Sequence, residues 1–120
     1  MKIAPLAFLF VTVLACSFMK PSPPAPERVR AALDKVVKKE NAEATYTITS
    51  TDVHDSGKLV TVYFSFEDFE FEGINGNKQD LASGKASAII NYTDDGKWVL
   101  ETIQIKEPLT DFIRPDLPIE

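Results

Sequence analysis

Three groups of residues in this chain have side chains suited to chemistry. Asp52, His54 and Asp55 set two carboxylates beside the only histidine. Such a trio resembles the start of a metal site. Zinc, however, needs further His or Cys ligands at suitable spacing, and no other histidine and no usable cysteine exists. We read the three as polar turn residues. The second group is Glu67, Asp68, Glu70 and Glu72, followed by Asn75 and Asn77. Calcium takes several oxygen ligands, but alternate strand residues diverge to opposite faces, and the EF-hand spacing is missing. The acids are read as solubilising charges. The third is Cys16, alone and inside an apolar leader, where a thiol points to lipid attachment rather than catalysis. No Ser-His-Asp constellation, P-loop or Gly-rich dinucleotide motif occurs in the sequence. General acid–base catalysis needs a tuned group in a pocket, and the one histidine falls on a predicted turn. The expectation is therefore a non-enzyme: no catalytic residue, no metal ligand and no cofactor.

The leader reads MKIAPLAFLFVTVLACSFMK. Lys2 supplies a short positive region, and Ile3 to Leu14 an apolar one. Val13, Leu14, Ala15 and Cys16 are similar to the bacterial lipobox, in which a lipid is attached to the cysteine and the leader is removed before it. Residues 1–15 are thus read as a signal peptide of lipoprotein type. Val13-x-Ala15 also fits an ordinary signal-peptidase site, and Ile3 to Met19 is long enough for an uncleaved anchor. A single cysteine in an exported chain is a thiol left over, which lipidation accounts for. Ser17 after the cysteine implies outer-membrane sorting, by analogy with Gram-negative lipoproteins. The expected location is the bacterial cell envelope, facing the periplasm. Residues 16–25 follow as a proline-rich tether, with Pro21, Pro23 and Pro24 favouring an extended spacer.

The chain has 120 residues, enough for one domain. Its formal net charge of −5 repels phosphate backbones, which excludes nucleic acid as a partner.

The elements follow from periodicity. PERVRAALDKVVKKEN, Pro26 to Asn41, carries Val29, Ala32, Leu33, Val36 and Val37 at helical spacing, with Pro26 suited to the first position. The stripe predicts a helix packed on a sheet. From Ala44 the period becomes two. Strands are expected at Ala44–Thr51, Lys58–Phe71, Lys85–Thr93 and Lys97–Glu107. Gly73–Gly84 reads as a long loop, and Asp94–Gly96 as a hairpin turn. The fold expected over residues 26–107 is α+β, with one N-terminal helix on a four-stranded, bent antiparallel sheet. Asn91-Tyr92-Thr93 is formally a glycosylation acceptor, but inside a strand it reads as chance.

VYFSFEDFEFEG, Val62 to Gly73, slips phase. Val62, Phe64 and Phe66 share one parity, and Phe69 and Phe71 the other. One extra residue near Glu67–Asp68, a β-bulge, would keep all these aromatics on one face. Residues 108–120 form a proline-rich tail with Phe112 and Ile113 at its centre. It either packs along a sheet edge or docks to a partner.

One helix followed by an antiparallel meander, with strand four opening on Asp95, Gly96, Lys97 and Trp98, resembles the cystatin-like and NTF2-like α+β superfamily of small bacterial secreted proteins. The Gln-x-Val-x-Gly hairpin of cystatin inhibitors is missing, so protease inhibition does not carry over. The leading expectation is an exported lipoprotein acting as a protein-binding or envelope-assembly module. Asn75, Asn77, Phe112 and Ile113 are its candidate partner contacts. An NTF2-like small-ligand binder or enzyme is an alternative, requiring a cavity between helix and sheet with Tyr46 or Tyr63 pointing in. An inhibitor of a secreted hydrolase is another, using Gly73–Gly84 as a protruding loop.

Overall fold

The computed structural model describes residues 20–120; the leader and Cys16 lie outside the described residues. The chain forms a helix, α1 (Pro26–Val37), then strands β1 (Thr45–Val53), β2 (Leu59–Glu72), β3 (Lys78–Tyr92), β4 (Trp98–Glu107), β5 (Asp111–Ile113) and β6 (Leu117–Pro118). All strand pairs are antiparallel, in the order β1-β2-β3-β4-β5, and β6 also pairs with β4. Among the described residues the architecture is α+β, with one helix on one sheet. The sheet has six strands where the sequence predicts four, because the tail contributes two.

Helix α1 starts where its prolines allow. The Ala25 carbonyl accepts from Arg28 and Val29 at 3.0 and 3.1 Å, and Pro26 takes the first position, where no donor is needed. The helix ends at Val37 rather than Asn41. Lys38 closes it at φ −95°, ψ 6°, its amide donating to the Asp34 carbonyl at 3.0 Å. Val29, Ala32, Leu33 and Val37 are buried against Val60, Val62, Phe64, Phe66, Ala88, Ile90, Leu100 and Ile103 of the sheet.

The three hairpin turns share one design. His54–Gly57, Gly73–Gly76 and Thr93–Gly96 each close with the glycine amide donating to the first carbonyl, at 2.8, 2.9 and 3.0 Å. The glycines adopt φ of 74°, 79° and 83°, a region costly for residues with a Cβ. The predicted loop Gly73–Gly84 is therefore corrected. Only Gly73–Asn77 is turn, and β3 already runs at Lys78. The stretch carries no alternating apolar signal, because Leu81 is its one buried apolar side chain.

The phase slip in β2 is real, but it is not a one-sided bulge. Glu67 pairs with Ser83 and Phe69 with Leu81, so the β2–β3 register is unchanged across Asp68. Asp68 is in the left-handed region, at φ 56°. Both strands change phase together: Phe66 and Phe69 are buried on β2, and Leu81 and Ala86 on β3. The aromatic row continues round the kink. Phe66 and Phe69 meet edge to face at 5.2 Å, and Phe69 and Phe71 at 5.0 Å. Asn41 braces the kink by donating from Nδ2 to the Asp68 carbonyl at 2.9 Å. Gly84 lies opposite Phe66, and a Cβ there would stand 2.5 Å from the Phe66 ring and against the Glu107 carbonyl. One-residue insertions occur instead in the flanking strands, at Thr49 of β1 and at Glu101 and Lys106 of β4.

Residues 20–25 lie against the sheet. The Trp98 indole donates to the Ser22 carbonyl at 3.0 Å, and Lys20 lies over Gly57.

Candidate functional site

Beside the end of α1, where the β2–β3 turn meets the tail, lies an open groove of 530 Å³. Three segments build it. The last turn of α1 and the residues after it supply Val36, Lys35 and Lys39, the β2–β3 turn supplies Ile74, and the tail supplies Ile113, Arg114 and Leu117. The turn and tail are in direct contact. The Asp111 carboxylate lies on the Cα of Gly73, where any Cβ would collide with it, and it accepts from the Phe112 amide at 2.8 Å. Ile74 projects from the turn with 52% of its surface exposed. Lys35, Lys39 and Arg114 stand around an apolar floor, with Glu72 the one acid in the lining. This is a cationic pocket on a chain of net charge −5.

The residues expected as partner contacts are partly gathered here. Asn75 and Asn77 are exposed on the turn that walls the groove, and Ile113 lines it. Phe112 does not join them. It pairs with Gln104, next to Ile113, which pairs with Ile103, so their side chains take opposite faces. Phe112 is exposed on the outer face, in one cross-strand row with Gln104, Ser87 and Tyr63. Lys35, Lys39, Ile74 and Arg114 were not singled out from sequence. The only signal for them is the four-residue spacing of the lysines and an isoleucine set between turn residues.

The other chemistry-bearing residues have structural partners. His54 Nδ1 lies 3.3 Å from both the amide and the hydroxyl of Ser56, within the β1–β2 turn. Glu70 and Glu72 line a 190 Å³ cleft with Glu40, Lys78 and Asp80. No three His, Cys, Asp or Glu side chains converge as a metal site among the described residues. Asn91 donates from Nδ2 to Glu101 Oε2 at 2.5 Å, which occupies the atom a glycan would use. Cys16 lies outside the described residues, as does the proposed lipid-attachment site.

Tyr46 and Tyr63, the residues a small-ligand cavity would need, point elsewhere. Tyr46 Oη donates to Asp34 Oδ1 at 2.7 Å and lies 3.0 Å from the Arg30 carbonyl, which ties β1 to α1. Partial burial, then the Asp34 bond and charge, push its phenol well above the usual tyrosine range. Tyr63 is on the outer face. Between helix and sheet, Leu33, Val37, Ile90 and Leu100 are fully buried. A 230 Å³ pocket remains at the margin, between Pro23, Pro24 and Pro26 on one side and Ile48, Val60 and Val62 on the other. Among the described residues, no helix is long and apolar enough to cross a membrane.

Comparison of the chain with protein-family models, with curated proteins and with solved structures returns no match.

Proposed function

We propose that the chain is a non-catalytic, exported lipoprotein whose domain binds an envelope or secreted protein through the groove at the end of α1. The observation that carries this reading is the make-up of that groove. It has an apolar floor of Val36, Ile74, Ile113 and Leu117, ringed by Lys35, Lys39 and Arg114. An acidic segment with apolar side chains complements it, and charge of one sign in a cleft steers such a partner. The cystatin-like or NTF2-like affiliation belongs to this proposal and rests on element order.

The test is photo-crosslinking in exporting cells, with a photoreactive residue at Ile74 and a control at Asp95. A defined envelope protein captured at Ile74, and lost when Lys35, Lys39 and Arg114 are reversed to Glu in a folded variant, supports the reading. Equal capture at both positions, or capture indifferent to charge reversal, overturns it. Mass spectrometry of the mature N-terminus tests the lipid anchor, and a free Cys16 thiol would end that part.

A further inference from the structure

We infer that the free edge of β1 pairs with β1 of a second copy of this chain, joining two six-stranded sheets into one. The two edges of the sheet differ sharply. Beyond β4, the edge is closed by β5 and β6, three and two residues long, with Pro115 between them and Pro118 ending the second. Short strands and prolines are the usual protection of an edge. The β1 edge has little of this. It is nine residues long, and Thr45–Thr51 reads TYTITST, β-branched and aromatic, with no charge and no proline. Its one irregularity is the extra residue Thr49.

The edge groups can be placed. The His54 amide donates to the Leu59 carbonyl at 2.8 Å, making those two a bonded pair. By the alternation of an antiparallel ladder, Thr51 and Val53 then turn their backbone groups outward. Beside the edge runs an open groove of 390 Å³, walled by Arg30, Asp34 and Lys38 of α1 and floored by Tyr46 and Ile48. It leaves room for side chains of an added strand.

A second copy fits this edge by face and by charge. Tyr46, Ile48, Thr51 and Val53 pair with Phe66, Phe64, Val62 and Val60, so all four lie on the helix-bearing face. A twofold axis between Thr49 and Ser50 sets Ile48 opposite Thr51 of the partner subunit, and Tyr46 opposite Val53 of the partner subunit. Every pair then shares a face, as a ladder requires. In this register Asp52 meets Thr47 of the partner subunit and Asp55 meets Ala44 of the partner subunit, so no acid opposes an acid. Val53, 45% exposed in one copy, gains a cover. Because each chain has, among its described residues, a single long free edge, the pairing is isologous and stops at two. This inference is independent of the groove at the end of α1, which stays open in the dimer.

The full chain, co-expressed in an exporting host with two different tags and extracted in mild detergent, provides the test. The two tagged forms should co-purify, and a photoreactive residue at Val53 should crosslink to the β1 peptide of a second copy. Each dimer holds two copies of any substitution, so Thr51→Pro removes two outward donors and weakens association about thirtyfold. Thr47→Glu, which leaves the backbone intact and sets an acid opposite Asp52 of the partner subunit in both pairs, should weaken it as well, whereas Thr47→Lys, opposite the same acid, should not. No co-purification, a crosslink to another protein, or a crosslink to another part of the chain overturns the inference.

Discussion

Replacing Tyr46 with Phe removes a single oxygen and tests how the helix is tied to the sheet. The hydroxyl donates to Asp34 Oδ1 at 2.7 Å, with the Arg30 carbonyl at 3.0 Å also within reach. One proton cannot serve both acceptors fully, so the carboxylate bond dominates. A hydrogen bond to a charged group is worth ~1.5–3 kcal/mol, and half-exposure of Tyr46 places this one near the lower figure. The ring keeps its edge-to-face contact with Phe64, centroids 5.9 Å apart, so packing is preserved. Tyr46→Phe should therefore lose ~1.5 kcal/mol at neutral pH, a melting shift of roughly 6–12 °C for a domain of this size. Alkali supplies a second readout. The folded phenol holds its proton to higher pH than the unfolded one, chiefly through burial and then through Asp34. A raised folded value means the stabilisation is fully present below the unfolded value, near pH ~10, and is lost as pH rises beyond it. Phe has no such dependence, so the gap between wild type and variant should narrow above pH ~10. Urea unfolding at pH 7 and pH 11 measures both. A gap below ~0.3 kcal/mol at pH 7, or an equal gap at both pH values, would refute the reasoning.

Four further outcomes are expected. Gly84→Ala drives a Cβ to 2.5 Å from the Phe66 ring and into the Glu107 carbonyl, so chemical denaturation should show a loss of ~1–3 kcal/mol. Trp98→Phe removes the indole donor to Ser22 and should cost ~1 kcal/mol in chemical denaturation. Deleting Pro108 to Glu120 uncovers the packing of Leu109, Ile113, Leu117 and Ile119 and bares β4, so stability should fall and light scattering rise, whereas Phe112→Ala should shift stability by less than ~0.5 kcal/mol. Deleting Glu101 removes the inserted residue and sets Leu100 and Ile103 two apart, on one face of a regular strand, so the domain should still unfold cooperatively in urea, as should Glu101→Ala, which loses only the Asn91 bond.

The helix, β1, β2, β4 and the Asp94–Gly96 turn were legible because each carries a local period or a turn signal. The start of β3 was not. KQDLASG has one buried apolar residue, Leu81, and Gly84 reads as a breaker until Phe66 is seen lying over it. The tail hid its strands for a related reason. Leu109, Ile113, Leu117 and Ile119 pack on the core with strand-like spacing, but Pro115 and Pro118 argue against strand in any local reading. The site was half legible. Ile113 and the turn bearing Asn75 and Asn77 could be named from exposure and composition. The convergence of Lys35, Lys39, Ile74 and Arg114 is a fact about three distant segments, and no local pattern holds it.

The phase slips have one logic. A strand with neighbours on both sides cannot gain a residue alone without shifting two ladders. β2 and β3 are such a pair, and their slip is matched: Asp68 turns left-handed, β3 changes phase opposite it, and Glu67–Ser83 and Phe69–Leu81 stay in register. β1 and β4 have more freedom. β1 has one free side, and β4 faces only the short β5 and β6, so each absorbs unmatched insertions at Thr49, Glu101 and Lys106. All three inserted residues are exposed and polar, as unpaired positions require. Each slip flips the side-chain phase, and the apolar residues flip with it: Tyr46 and Ile48 give way to Thr51 and Val53, Phe66 to Phe69, Leu100 to Ile103. The helix-bearing face therefore stays apolar along a sheet that bends. The acids of VYFSFEDFEFEG follow from the same geometry. They occupy the positions that the kink turns outward, and the aromatics between them hold the far arm of β2, with its turn and groove, to the rest of the core.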